Sequence, residues 1–337
     1  MTKKLTIAYL PASNDGLSFR GTEICLYDEM HFAETILGHK SILCLRNGAY
    51  NDPNVLIKFK KRFDTIIMFD NVEHLESELL NHNVHALYTI RSKQSCGIQL
   101  RKIPMLIHCV YEVENNNIGL VSAAVSKTVA NKYGSNKFVP HMVNLHDTQD
   151  DFRSSLNIPK NTIVFGRHGG ADTWDLPMAM EALVRILNTR EDIYFIFAVR
   201  PLIIRFNHPR LIFLDAFADL EMTRKFVNTC NAMIHAQSLG ESFGLSCAEM
   251  STANKPVITW NGGRLQEHLR ILGEKCIKYN DADELYKILN TFRPEEVIKK
   301  DWRAYGEYIP EKVIAKFDEV FLNPLKDYIL TGDILSK

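Results

Sequence analysis

Two carboxylates eight residues apart, Glu241 and Glu249, stand in the segment Met233-Ile234-His235-Ala236-Gln237-Ser238-Leu239-Gly240-Glu241-Ser242-Phe243-Gly244-Leu245-Ser246-Cys247-Ala248-Glu249. An apolar run, a polar glycine-bearing loop and a helix starting near Phe243 follow one another here. Glu249 then lies about two turns into the helix, so both carboxylates can face one pocket from different depths. Between them, the N–H groups of the first turn, at Phe243, Gly244 and Leu245, point outward at the positive end of the helix dipole and suit a phosphate. An ionised carboxylate only accepts hydrogen bonds, so beside a phosphate each Glu needs donors of its own. The vicinal hydroxyls of ribose or a hexose are such donors. The alternative is chance spacing, with Glu241 a favourable first-turn charge and Glu249 on a solvated face.

A second cluster is Gly166-Arg167-His168-Gly169-Gly170, between a strand and a helix. Its glycines permit close backbone approach, and Arg167 offers a planar fork to phosphate oxygens, unless it is simply an exposed turn residue. Arg200 directly ends the apolar run Ile193–Val199. Gly262-Gly263 is either a backbone cradle or an ordinary turn. In the first half, the loop Pro11–Glu23 carries Gly16 and Gly21, with Thr22 opening a long helix. That pattern is looser than a dinucleotide G-x-G-x-x-G, and no acidic ribose partner follows the second strand, which weighs against NAD. His108 ends another strand, where it contacts a ligand or is structural. Arg91 and Lys93 end a neighbouring strand and either recruit an anionic acceptor or sit in solvent.

The elements that must position these residues alternate strand and helix, the signature of parallel sheets with crossover helices. Strand-like runs fall at Leu5–Leu10, Ser41–Leu45, Thr65–Phe69, His85–Ile90, Met105–His108 and Gly119–Ala123, with helices at Thr22–Leu37 and Val125–Tyr133, the latter capped by Ser126. The pattern restarts with strands at Thr162–Phe165, Ile193–Val199, Leu211–Leu214, Ala232–Ala236 and Pro256–Trp260. Helices are expected at Leu176–Asn188, Leu220–Asn228, Phe243–Ala253 and Leu265–Leu272, with Asp175 as an N-cap before Pro177. At 337 residues the chain exceeds one core. The expected domains are 1–150 and 151–310, two doubly wound α/β units facing a central cleft, and an amphipathic 311–337 packing back on the first. Forty basic and forty acidic residues argue against nucleic acid. Seven scattered cysteines read as reduced thiols of a cytoplasmic protein. No apolar run approaches the roughly 20 residues of a transmembrane segment, and the opening residues lack a signal-peptide pattern.

Gly240-Glu241-Ser242-Phe243-Gly244-Leu245 followed by Glu249, then Lys255-Pro256-Val257-Ile258 and Gly262-Gly263, resembles the E-x7-E region of retaining GT-B glycosyltransferases of family GT4. The resemblance covers most of the chain and is stronger in the second half. It implies a GT-B fold of two Rossmann-like domains and sugar transfer, with retention, from a nucleoside-diphosphate sugar such as a UDP- or GDP-sugar to a carbohydrate or glycoconjugate acceptor. It places Glu241 on the donor sugar, Glu249 on the ribose and Arg167 on the diphosphate. Gly16 and Gly21 approach donor phosphate or acceptor, and His108 the transferred sugar. The family usually has a Lys shortly after the Arg; Ala171–Asp175 contains none, so His168, Arg200 or Arg205 would complete the clamp, Arg200 being best placed. No cofactor or metal is implied, and Asp281-Ala282-Asp283 reads as a helix cap rather than a metal-binding D-x-D. Two alternatives share this architecture: a sugar-nucleotide epimerase or hydrolase, and a non-catalytic sugar-nucleotide-binding subunit.

Overall fold

The computed structural model describes residues 4–12, 16–91, 97–111, 119–132, 134–217 and 219–331. The chain forms two compact units, Met1–Met142 with Tyr308–Lys337, and Val143–Glu307. The division falls before 150 because the polar stretch after Met142 is tied to the second unit. Asn228 Nδ2 donates to the carbonyls of Thr148 (2.8 Å) and Asp150 (2.9 Å), and Phe152 N donates to Thr229 Oγ1 (2.8 Å).

In the first unit, β1 (Thr6–Leu10), α1 (Gly21–Thr35), β2 (Lys40–Arg46), α2 (Pro53–Arg62), β3 (Ile66–Phe69), α3 (Val72–Asn81), β4 (Ala86–Arg91), β5 (Met105–Cys109), β6 (Val121–Ala124) and α4 (Lys127–Lys132) follow in turn. The six strands are parallel in the order β3-β2-β1-β4-β5-β6. Their near-continuous apolar composition is what a sheet covered on both faces requires. Short helices gain definite starts from side-chain caps: Asp52 accepts from the amides of Asn54 and Val55, and Asn71 from that of His74. Ser126 Oγ accepts from Val129 N (3.3 Å), as expected, although α4 is shorter than the run that signals it; Tyr133 lies outside the described residues.

In the second unit, β7 (Ile163–His168), α5 (Pro177–Thr189), β8 (Ile193–Ala198), β9 (Leu211–Leu214), α6 (Leu220–Thr229), β10 (Ala232–His235), β11 (Gly240–Glu241), α7 (Leu245–Thr252), β12 (Val257–Trp260), β13 (Leu265–Gln266), α8 (Glu267–Leu272), β14 (Ile277–Tyr279), α9 (Ala282–Thr291) and α10 (Pro294–Val297) follow. The main sheet runs β14-β12-β10-β7-β8-β9, all parallel, and β11 pairs with β13 apart from it. Counted from β7, this is the same connectivity as the first unit, so each sheet reverses its winding once, between β1 and β4 and between β7 and β10. In doubly wound sheets the loops at the carboxyl end of such a switch point form the ligand crevice. Asp281 caps α9 by accepting from Glu284 N, as its position implies.

The chain ends in α11 (Pro310–Phe317), a π-helical turn (Asp318–Leu322) and α12 (Asn323–Thr331). Phe317 and Phe321 are buried and pack edge-on against Tyr88 at 5.2 and 5.5 Å between ring centroids. This closing segment is thus part of the first unit's core. Phe321→Ala is expected to cost about 3–5 kcal/mol in urea denaturation; a loss below about 1 kcal/mol, as at a surface site, would contradict that packing.

Candidate functional site

The second unit's switch point gathers the polar residues that the sequence brings forward, with several that it does not. β7 ends in Arg167-His168 and β10 in His235, and α7 starts beyond the loop that follows β10. Glu249 Oε2 meets His168 Nε2 at 2.5 Å, which ties the second turn of α7 to the end of β7. Both side chains are about nine-tenths buried, and the His168 ring tilts over Phe226 at 5.4 Å. Burial first, then the adjacent Arg167, lowers the His168 pKa to about 3, so the ring is neutral and donates its Nε2 proton to the carboxylate.

Arg167 is not an exposed turn residue. It is 2 % exposed, and its guanidinium turns back on the β7–α5 loop, donating to the carbonyls of Gly169 (3.1 Å), Gly170 and Val199 (3.3 Å) and to Thr173 Oγ1. Burial lowers its pKa to about 10, opposed by Glu241 and Asp172, so it stays charged and adds a fixed positive field beneath the loop. Val199, β-branched yet at φ 69°, turns its carbonyl to this guanidinium. Gly169, at φ 140°, sits under the same group.

Glu241 occupies a two-residue parallel bridge, Gly240↔Leu265 and Glu241↔Gln266. Gly240 is required there: its φ is +75°, and a Cβ would fall 2.0 Å from the Leu265 carbonyl oxygen. Gly263, at φ +101°, has no room for a side chain either, since a Cβ would fall 2.9 Å from the Gly240 amide nitrogen and 3.0 Å from the Leu239 carbonyl, and a Cβ at Gly262 would fall 2.2 Å from the Trp260 ring. This glycine pair therefore braces the loop. The helix begins at Leu245, two residues later than expected, because Gly244 takes a left-handed φ of 84° with no side-chain cap. Phe243 stays outside the helix, its ring edge-on to Tyr305, whose hydroxyl donates to the Phe243 carbonyl (2.9 Å). The first-turn amides from Leu245 onward lack intrahelical acceptors. Asp175 is not the cap of α5, where Leu176 stands; its carboxylate accepts from Ser238 N (2.7 Å) and Ser238 Oγ (2.5 Å) and holds the loop before Glu241.

Behind Glu241 lie three buried groups that the sequence pattern does not single out. Glu241 Oε1 is 3.2 Å from His235 Nε2, His235 Nδ1 is 3.0 Å from Thr259 Oγ1, and Thr259 Oγ1 is 3.2 Å from His268 Nε2. The one available signal is register: His235 and Thr259 are direct partners where β10 and β12 end. Burial, followed by His235, holds His268 well below the ordinary histidine range.

Other expected contributors have different positions. Arg200 curls over its own loop, Nε to the Ile204 carbonyl (3.0 Å) and Nη2 to that of Phe206 (2.8 Å), with its guanidinium on the Phe213 ring; Arg205 is exposed. In the first unit, His108 is fully buried, with Nδ1 2.6 Å from the Tyr88 hydroxyl and Nε2 2.8 Å from the Val139 carbonyl, so its ring is a core group. Gly16 is required because a Cβ would meet the Tyr50 carbonyl at 2.3 Å, whereas Gly21 opens α1 with no atom near its missing side chain. Arg91 is buried rather than solvated, 3.5 Å from the Ile98 carbonyl; Lys93 lies outside the described residues. Among the described residues no cluster of three or more His, Cys, Asp or Glu forms a metal site, and no helix is long and apolar enough to cross a membrane.

No protein-family model matches the chain, and no curated protein sequence matches it. Solved structures do. A glycosyltransferase from Rickettsia africae superposes with a TM-score of 0.60 at 17 % identity over 100 % of both chains. Anabaena HepE in complex with UDP-glucose gives 0.64 at 15 % identity over 98 % of this chain and 100 % of that one. A putative UDP-N-acetylglucosamine 2-epimerase from Listeria monocytogenes gives 0.58 at 10 % identity over 95 % and 97 %. The fold is α/β of the GT-B class, with two Rossmann-like domains.

A histidine held at about 3 against an ordinary 6.5 stabilises the folded chain fully above about pH 6.5, and that contribution is lost as pH falls toward about 3. His168→Gln is therefore expected to flatten the dependence of urea-unfolding stability on pH across this window; an unchanged slope would show that His168 is not held neutral. Gly240→Ala, which forces a Cβ into the Leu265 carbonyl, is expected to lower stability by about 2 kcal/mol or more, read from the urea midpoint.

Proposed function

We propose that this protein is a retaining, metal-independent glycosyltransferase of the GT4 kind, moving a sugar from a nucleoside-diphosphate sugar to an acceptor hydroxyl. The observation that carries the proposal is the placement of Glu241 and Glu249 on either side of the uncapped start of α7, at the switch point of the second sheet. Glu249, oriented by His168, accepts hydrogen bonds from the ribose hydroxyls. The first-turn amides of α7, from Leu245 onward, receive the diphosphate at the positive end of the helix. Arg167 acts from below the β7–α5 loop as a buried positive charge rather than as a direct fork, and Glu241 accepts from the donor-sugar hydroxyls. As the bond from the anomeric carbon to the diphosphate breaks, these amides and Arg167 stabilise the leaving group. A front-face path, in which the acceptor oxygen bonds to the anomeric carbon on the face the diphosphate leaves and passes its proton to the departing phosphate oxygen, needs no protein nucleophile.

The similarity to structures holding UDP-glucose makes uridine donors the first to test. The similarity to a putative epimerase supports a second reading, a sugar-nucleotide epimerase, which would turn over donor without an acceptor. A thermal-shift screen of UDP-, GDP- and ADP-sugars identifies the donor, and nucleotide release with and without carbohydrate acceptors separates transfer from acceptor-independent chemistry. Glu249→Ala is expected to weaken donor binding roughly tenfold to a hundredfold, while Glu241→Ala binds donor and loses turnover by a similar factor. Normal binding and turnover in both variants would place the site elsewhere.

A further inference from the structure

The chain of groups behind Glu241 can be assigned proton by proton. His235 is 3 % exposed, and Thr259 and His268 are fully buried, so no solvent proton is on hand to relieve a mismatch. Glu241 Oε1 at 3.2 Å from His235 Nε2 requires a proton on that nitrogen if the carboxylate is ionised. A neutral His235 then presents a bare Nδ1 to Thr259 Oγ1 at 3.0 Å and must receive the single hydroxyl proton. With that proton spent, Thr259 Oγ1 can only accept from His268, 3.2 Å away, which fixes the His268 proton on Nε2. The same hydroxyl lies 3.3 Å from the Trp260 carbonyl. Donation there would force a proton onto His235 Nδ1 and leave either a bare Nε2 against Glu241 or a buried imidazolium 4.7 Å from a second histidine ring. The Tyr279 hydroxyl, donating to the His235 carbonyl at 2.9 Å, anchors the strand end that carries the relay.

We propose that His268, Thr259 and His235 form a one-way hydrogen-bond relay that positions Glu241 as an acceptor-only carboxylate, leaving its second oxygen for a donor-sugar hydroxyl. All three are positioning residues. The proposal rests on the role of Glu241 in donor-sugar recognition. It goes further in naming the residues that set the rotamer of that carboxylate, and in limiting the sugar group that meets Glu241 to a hydrogen-bond donor.

The relay is tested without any donor by nitrogen-15 spectra of the histidine rings in the wild-type protein at neutral pH, with resonances assigned through His235→Gln and His268→Gln. Neutral rings carrying their protons on Nε2 in both residues are expected. A His235 imidazolium, or a proton on His235 Nδ1, overturns the proposal. With UDP-glucose as donor probe, Thr259→Val removes the hydroxyl at nearly constant volume. It should lower kcat up to about tenfold, the upper scale of one neutral hydrogen bond, with donor KM within about twofold, and Thr259→Ser should recover most of the loss. An unchanged kcat in Thr259→Val, or no recovery in Thr259→Ser, overturns the positioning role. If Thr259→Val does not fold, the wild-type spectra decide. If wild-type protein neither binds nor turns over any sugar nucleotide, the proposed function fails while the spectra still decide the relay.

Discussion

The buried hydrogen bond between Glu249 and His168 is the contact on which the second unit's loop arrangement depends. It joins α7 to the end of β7 across the point where the sheet reverses its winding, the one place where two crossover connections leave in opposite directions and the carboxyl-end loops part. Burying a carboxylate there is costly unless it is hydrogen-bonded. A histidine kept neutral by burial and by Arg167 supplies the bond without adding a second buried charge. Glu249 is thereby held in one orientation before any ligand arrives.

The same solution recurs a few residues away. Glu241 is bonded by His235, and His235 is backed by Thr259 and His268, so each acceptor carboxylate beside the start of α7 meets an imidazole. Arg167, the buried cation nearest these groups, is consumed by loop carbonyls and acts through its field. In the proposed transfer, fixed charges and dipoles of this kind, desolvated and already oriented, would favour the anionic leaving group because little reorganisation is needed when charge develops. Gly240, Gly244 and Gly263 make the arrangement possible, since each holds a positive φ that a side chain would resist.

The doubly wound architecture is legible in the sequence because parallel strands covered on both faces are nearly continuous apolar runs, as in Leu5–Leu10 or Ile193–Val199. β14 escapes notice because it is only three residues long and mostly unburied. The Glu241/Glu249 pair is legible because both sit on one local strand–loop–helix unit. Thr259 and His268 are not, since the register of β10 on β12 brings Thr259 to His235 and the packing of α8 brings His268 there, and neither is a matter of local spacing. Residue type also does not disclose direction. Arg167 and His108 look equally suited to meet a ligand, yet burial and nearby carbonyls turn the first into a loop brace and the second into a core group. Asp175 shows the same limit: its position suits a helix cap, but Ser238 offers two donors at once.

The most direct test of the account is a crystal structure of the protein with a bound nucleoside diphosphate. The ribose hydroxyls should lie within hydrogen-bond distance of Glu249, with the diphosphate on the amides of Leu245 and the residue after it, and Glu241 should remain bonded to His235. A nucleotide bound away from the start of α7, or one whose ribose ignores Glu249, would contradict the central claim.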